Sequence, residues 1–264
     1  MNTQGPFIVS RDWLEERLDM PGLSIVDGSW YLPAHIPGAI FFDQDLVVDP
    51  ESDLPHALPD PLTFERYASS MGITEQDTIV VYDGPGFFSA PRVWWLFRVM
   101  GAETVFVLDG GFDRWQAEGR PVTNERTKIA PAAFLPDFEK SRVASLEDMR
   151  RIVESGEAQI ADARPAGRFA GTEPEPREGM RSGHMPGALN VPVTALSEDG
   201  SLLPLDRLRD TLEQAGLDLG QPVVTSCGSG VTAAALILAL ESLGHRDNRL
   251  YDGSWSEWGG TGAG

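Results

Sequence analysis

The stretch QPVVTSCGSG at Gln221–Gly230 runs directly into VTAAALILALESLGH, which reaches Gly244 and His245. A short β-branched run bounded by Gly and Ser reads as a strand, and an apolar stretch of helix length closed by glycine reads as a buried helix. The same pattern occurs 144 residues earlier, where DTIVVYDGPG at Asp77–Gly86 precedes an apolar run from Pro91 to Met100 and Gly101. In this register Asp83 stands where Cys227 stands later. Two further pairs keep the order. HIPGA at His35–Ala39, after LSIVD ending at Asp27, answers HMPGA at His184–Ala188, after AQIAD ending at Asp162. VFVLDGGFDRW ending at Trp115 answers NRLYDGSWSEW ending at Trp258. Solenoid repeats recur at ~20–50 residues, so a unit this long means a duplicated domain.

Within each copy, short β-branched runs alternate with helical patterns, which predicts an α/β fold of two tandem domains, each a mostly parallel sheet covered by helices on both faces. The expected strands are Ser24–Val26, Ile79–Tyr82 and Thr104–Leu108, then Gln159–Ala161, Val223–Ser226 and Arg249–Tyr251. The expected domains are 1–125 and 141–264, joined by a linker over 126–140 that holds Pro131 and Pro136 and shows no sustained period. Trp115 and Trp258, being duplicated, read as core anchors. His35 and His184 precede Pro-Gly in both copies and read as packing or turn residues, and His245 follows a helix end where it suits the dipole.

The 264 residues carry 21 basic and 40 acidic side chains, a net charge of −19. A surface that negative repels phosphate backbones and anionic lipid, which excludes nucleic acid and membrane as partners. The longest nearly apolar run, Val231–Leu240, is well short of the ~18 residues a membrane span needs. The start MNTQGPFIVSRDWLEERL lacks a basic segment followed by an apolar block, so the expected location is cytoplasmic.

The single cysteine, Cys227, cannot form an internal disulfide or a thiolate-rich metal site, and no cluster has metal-ligand spacing. It is either an inert core residue or a reactive thiol. Its place at a strand end, just before a helix, is the crevice where open α/β sheets hold ligands. Gly228 and Gly230 permit backbone turns that point N–H groups at the sulfur, and the helix N-terminus adds partial positive charge. This is the setting of an activated thiol.

Cys227-Gly228-Ser229-Gly230-Val231-Thr232-Ala233, with the Asp-Gly-Ser-Trp and Glu-Trp elements downstream, resembles the active-site region of rhodanese-type sulfurtransferases, and among them the 3-mercaptopyruvate sulfurtransferases. DGSWYLP at Asp27–Pro33, SAPRVWW at Ser89–Trp95, LDGG at Leu108–Gly111 and GRFAGTEPEPREG at Gly167–Gly179 extend the resemblance over nearly the whole chain. It implies that Cys227 takes sulfur from 3-mercaptopyruvate as a persulfide, releases pyruvate, and passes the sulfur to a thiol or thioredoxin-like acceptor, with no cofactor or metal. It further implies that Arg168 and Arg177 bind the substrate carboxylate and that Gly228, Gly230, Val231 and Thr232 form the substrate-binding loop. Ser229, with Asp45 and His56 from the first domain, would form a proton relay. The first domain, with Asp83 in place of cysteine, would be catalytically silent.

Other readings stay open for these residues. Arg168 and Arg177 could simply pair with Glu173, Glu175 or Glu178 in a solvated loop, and Asp and His are common in loops such as those of Asp45 and His56. Thiosulfate is the alternative donor, although the neutral Gly228 and Ser229 suit a dianion poorly. A cysteine phosphatase needs Arg six residues after the cysteine, where this chain has Ala233. A non-enzymatic sulfur carrier or interaction module is a further alternative.

Overall fold

The computed structural model describes residues 4–29 and 33–260; Trp30, Tyr31 and Leu32 of the DGSWYLP segment lie outside them. In the first domain the strands are β1 (Ile8–Val9), β2 (Leu23–Asp27), β3 (Ile40–Phe41), β4 (Thr78–Tyr82) and β5 (Thr104–Leu108), and the helices α1 (Arg11–Glu15), α2 (Pro61–Ser70), α3 (Ala90–Val99) and α4 (Gly111–Ala117). The strands form one sheet in the order β1-β5-β4-β2-β3, every neighbouring pair parallel.

The second domain repeats this plan. Its strands β6 (Val143–Ala144), β7 (Gln159–Asp162), β8 (Leu189–Asn190), β11 (Val223–Ser226) and β12 (Asn248–Tyr251) form a parallel sheet in the order β6-β12-β11-β7-β8. Between them stand α5 (Leu146–Ser155), α6 (Ala166–Ala170), α7 (Leu205–Gln214), α8 (Ala233–Ser242) and α9 (Ser254–Trp258). A short antiparallel hairpin, β9 (Ser197–Glu198) with β10 (Ser201–Leu202), interrupts the pattern. The two five-stranded sheets are parallel throughout, and the expected strands are present with ends shifted by a residue or less. The edge strands β1, β3, β6 and β8 are only two residues long, too short to show a period in sequence.

Alternation along each strand places helices on both faces, because successive side chains point to opposite sides. Val26, Ile79 and Val81 join α2 and α3 in one layer, whereas Ile25, Val80 and Tyr82 meet Leu14, Phe112 and Trp115 of α1 and α4 in the other. In the second domain Val223 and Leu250 face α7 and α8, while Val224 and Tyr251 face Met149 and Ile152 of α5 and the tryptophans of α9. The inner layers of the two domains form one continuous apolar core, with α3 packed against α8. This explains why α8 is apolar on every side: sheet and partner helix leave it no solvent face, and all ten of its residues are buried.

The segment 126–140, expected as a linker, has no regular element before Lys140 and lies along the first domain. Phe134 is fully buried edge-on to Phe64, and its N–H donates to Ser69 Oγ at 3.0 Å. Among the described residues no helix is long and apolar enough to cross a membrane.

Candidate active site

β11 delivers Cys227 to the carboxyl edge of the second sheet, and the start of α9 fixes the loop that follows. The Trp255 N–H donates to the Cys227 carbonyl at 2.9 Å and the Ser256 N–H to the Gly228 carbonyl at 2.8 Å. The Cys227 N–H donates to Ser254 Oγ at 3.1 Å. This gives the repeated Asp-Gly-Ser-Trp element its physical task, which is to anchor the cysteine loop. Gly230 turns at φ +82, and its N–H reaches Cys227 Sγ at 3.1 Å. Gly228 is not in the left-handed region; its missing side chain matters because a Cβ there would lie 3.1 Å from Arg168 Nη2.

Cys227 is 2% exposed and lines a cavity of about 490 Å³. Gly228, Ser229, Val231 and Thr232 line it, as do Arg168 from α6 and Arg177 from the loop after it, and His56 and Phe88 from the first domain. Gly230 stands behind the sulfur. Most of the residues singled out in sequence therefore converge on one cleft between the domains, while Gly230 meets it only through the sulfur and Asp45 only through His56.

The two arginines sit differently. Arg168 pairs through Nε and Nη2 with Glu175, the Nε contact being 3.1 Å. Glu175 is itself buried and held from the other side by Arg164 Nη1 at 2.8 Å. Arg164 is almost fully buried, lies 4.2 Å over the Trp255 ring, and places Nη2 2.7 Å from Asp162 Oδ2. Arg168 does pair with a glutamate, as the solvated-loop reading allows, but that glutamate is fixed in the interior and aims the guanidinium at the cavity. Arg177 Nη1 donates to Ser256 Oγ at 3.4 Å. In an acidic protein, cations gathered in one concave site create a local field for an anion.

His56 crosses from the first domain. Ser229 Oγ–H donates to His56 Nδ1 at 3.0 Å, and the opposite ring nitrogen, Nε2, lies 3.3 Å from Asp45 Oδ1. The carboxylate favours the proton on Nε2, which leaves Nδ1 as the acceptor. Burial, and next the nearby Arg92 guanidinium, hold the imidazole below the ordinary histidine value; Asp45 opposes this and Arg177 adds to it. A neutral ring that accepts from a serine hydroxyl is the starting state of a general base.

The remaining histidines have structural partners. His184 stacks on Phe169 at 4.0 Å and its Nδ1–H donates to the Phe169 carbonyl at 2.8 Å. His35 Nδ1–H meets the Ile36 carbonyl at 2.9 Å, and His245 Nε2–H meets the Gln221 carbonyl at 2.9 Å. Trp115 and Trp258 are buried, as expected of core anchors. Sequence reasoning missed Arg92 and Asp252 at the site, and named Glu175 only as a solvated-loop partner. The signal for Arg92 was a charged residue inside SAPRVWW, a run otherwise suited to a buried helix.

The rhodanese-like domain family matches this chain twice, over residues 10–118 and 145–261. The 3-mercaptopyruvate sulfurtransferase of Escherichia coli (strain K12) is 40% identical over 266 residues, covering 96% of this chain and 95% of that protein. The thiosulfate sulfurtransferase of Cricetulus griseus is 41% identical over 270 residues, covering 95% of this chain and 91% of that one. The crystal structure of SseA, a 3-mercaptopyruvate sulfotransferase from Escherichia coli, matches with a TM-score of 0.88 and 39% identity over 95% of this chain and 99% of its own. A duplicated parallel α/β unit, a cysteine at the strand edge of its second copy, and likeness along almost the full length to proteins built the same way together show that the chain belongs to the rhodanese family.

Proposed function

We propose that this chain is a 3-mercaptopyruvate sulfurtransferase acting through a Cys227 persulfide. The Cys227 thiolate attacks the donor sulfur, and the carbon–sulfur bond breaks with its electron pair moving into the enolate of pyruvate. The proton lost by the donor thiol goes to that carbon, so cysteine keeps one sulfur atom and pyruvate leaves. An acceptor thiolate, small or on a thioredoxin-like protein, then attacks the outer sulfur and restores the Cys227 thiolate. Arg168 and Arg177 bind the donor carboxylate, and Gly228, Gly230, Val231 and Thr232 shape the loop around the transferred sulfur. Ser229, His56 and Asp45 move the proton. The domains divide as 1–125 and 141–264, the first silent in chemistry and supplying His56 and Asp45. A lone thiol cycling through a persulfide suits a reducing, cytoplasmic compartment.

The contact between Ser229 and His56 at 3.0 Å beside the sulfur carries this reading. Mercaptopyruvate leaves as a carbanion equivalent and needs a proton delivered to carbon, whereas thiosulfate leaves as sulfite and needs none. A proton relay is useful only for the first. Thiosulfate remains the second reading because a related enzyme of that name is 41% identical to this chain. Pyruvate release and a one-sulfur mass increase at Cys227 with mercaptopyruvate, compared with thiosulfate, test the choice. Equal turnover of both donors would refute the preference, and labelling at another residue would refute the mechanism.

A further inference from the structure

The domain interface holds a charged pair, its arginine buried and its aspartate mostly so, that the proton relay does not use. Arg92 lies on α3 among Val93, Trp94 and Trp95 and is 2% exposed. Its Nη2 sits 2.7 Å from Asp252 Oδ1, just beyond β12 of the second domain, and donates to the His56 carbonyl at 2.7 Å. Nη1 reaches the Gly230 carbonyl at 3.5 Å. The other Asp252 oxygen accepts the Leu58 N–H at 2.6 Å, which closes a ring around the segment that bears His56.

Removing two charges from water offsets much of their mutual attraction, so such a pair contributes more to fixing one geometry than to stability. The geometry held here is unusual: His56 has φ +57, a conformation that persists in a side-chain-bearing residue only where its surroundings hold it. The ring also touches the cysteine loop, since a Cβ on Gly230 would lie 2.8 Å from the Asp252 carbonyl oxygen.

We infer that Arg92, together with Asp252, is a positioning residue for sulfur transfer: it holds the His56 backbone against the second domain so that the imidazole meets Ser229 beside Cys227. This rests on the relay role proposed for His56. Arg92 then acts on turnover through His56 and leaves donor binding to Arg168 and Arg177.

The test uses full-length Arg92→Met, Arg92→Lys and Asp252→Asn, each alone and combined with His56→Ala, with mercaptopyruvate as donor. Thermal melting and iodoacetamide alkylation of Cys227 monitor the fold. Misplacing a catalytic group by about an ångström costs on the order of 10²-fold, so kcat of Arg92→Met should fall by that order with KM little changed. Arg92→Lys should recover part of it. Among the described residues, the charged groups acting on His56 are Asp45 on its own segment, Arg92 from α3 and Arg177 from the loop after α6, while Asp252 after β12 holds the Leu58 N–H two residues further on. Loss of the Arg92 charge leaves Asp45 less opposed, and the acid limb of the pH profile moves to higher pH. In the His56→Ala background the Arg92 changes should add almost nothing, because both act through one group. Losses that multiply, a change confined to KM, or wild-type kcat in Arg92→Met would overturn the proposal. If Arg92→Met does not fold, Arg92→Lys and Asp252→Asn carry the same double-variant comparison. Unchanged turnover in His56→Ala alone would overturn the relay itself, a result separable from any outcome at Arg92.

Discussion

The two domains build the same loop around different side chains. Phe112 and Asp113 at the start of α4 donate to the carbonyls of Asp83 and Gly84 at 2.8 and 2.9 Å, as Trp255 and Ser256 of α9 do for Cys227 and Gly228 at 2.9 and 2.8 Å. The cradle survives the duplication. Its contents differ. The Asp83 carboxylate is fully buried and accepts the N–H groups of Gly86, Phe88, Ser89 and Ala90, the last three at 2.9, 2.6 and 2.9 Å. The hairpin between β9 and β10 closes over that loop, so tightly that a Cβ on Gly200 would lie 2.0 Å from the Pro85 carbonyl oxygen. Cys227 sulfur accepts the Gly230 N–H and opens onto the cavity. A ring of amides that receives its own carboxylate becomes a rivet, and one that leaves space before its anion becomes a place for cargo.

The sharpest way to break this comparison is to exchange the side chains. Cys227→Ser should reduce turnover to background, because a serine hydroxyl neither ionises near neutral pH nor forms a persulfide. Adding Asp83→Cys to that variant should not restore it, since the hairpin denies donor access to the first loop. Persulfide at residue 83, read by mass spectrometry after donor exposure, would show that the loops are interchangeable.

His56→Ala comes next, with an expected loss of ~10²–10⁴-fold in mercaptopyruvate turnover, the usual contribution of positioned proton transfer. The relay needs the neutral ring, whose folded-state value lies below the ordinary 6.5. Turnover should therefore hold steady from neutral pH downward and fall only below that ordinary value. An acid limb centred above it would contradict the burial argument. Asp45→Asn should show a smaller loss in the same direction.

Arg168→Ala and Arg177→Ala should each lower kcat/KM roughly 10- to 150-fold, the equivalent of a charge-assisted carboxylate contact of ~1.5–3 kcal/mol. Arg168→Ala also leaves Glu175 with Arg164 as its remaining partner, so its melting temperature should drop more than that of Arg177→Ala. Wild-type specificity constants in both variants would return the loop to a solvated role. The smallest effect on chemistry belongs to Asp83→Asn. An amide cannot accept all four N–H groups and should cost about 1–3 kcal/mol of stability, or a few degrees in Tm for a chain of this size, with activity per folded molecule unchanged. Lost turnover at full folding would mean that the first loop is not silent.

Much of this was legible in the chain because local pattern and long-range packing agree. The strands β2, β4 and β11 are short β-branched runs buried on both faces, which is how parallel strands read. Cys227 could be placed at a strand end from QPVVTSCGSG alone. Asp45 and His56 could not be joined to Ser229 by any periodicity, since they lie more than 170 residues away and meet it only through the packing of α3 on α8. Only family likeness pointed to them. Asp252 was missed for the same reason, being ordinary in its own segment; Arg92 stands out inside an apolar helix, but nothing local says what it meets. Phe134 shows the converse. A proline-bearing stretch without a period read as linker, yet one aromatic side chain seats it in the first core. Gly228 drew attention for its lack of charge; the structure adds that its missing side chain makes room for Arg168.

The continuous core between α3 and α8 bears on how the molecule comes apart. A tandem repeat invites the expectation of two melting units, one for each copy. Here α8 has no solvent face and nine of the ten residues of α3 are buried, so neither layer can open without stripping the other of its apolar cover. The two copies are therefore one cooperative unit, and calorimetry should record a single transition whose van't Hoff and calorimetric enthalpies agree. The cleft between them then behaves as a seam inside one folding unit, and the histidine that crosses it is held as firmly as any residue within either half.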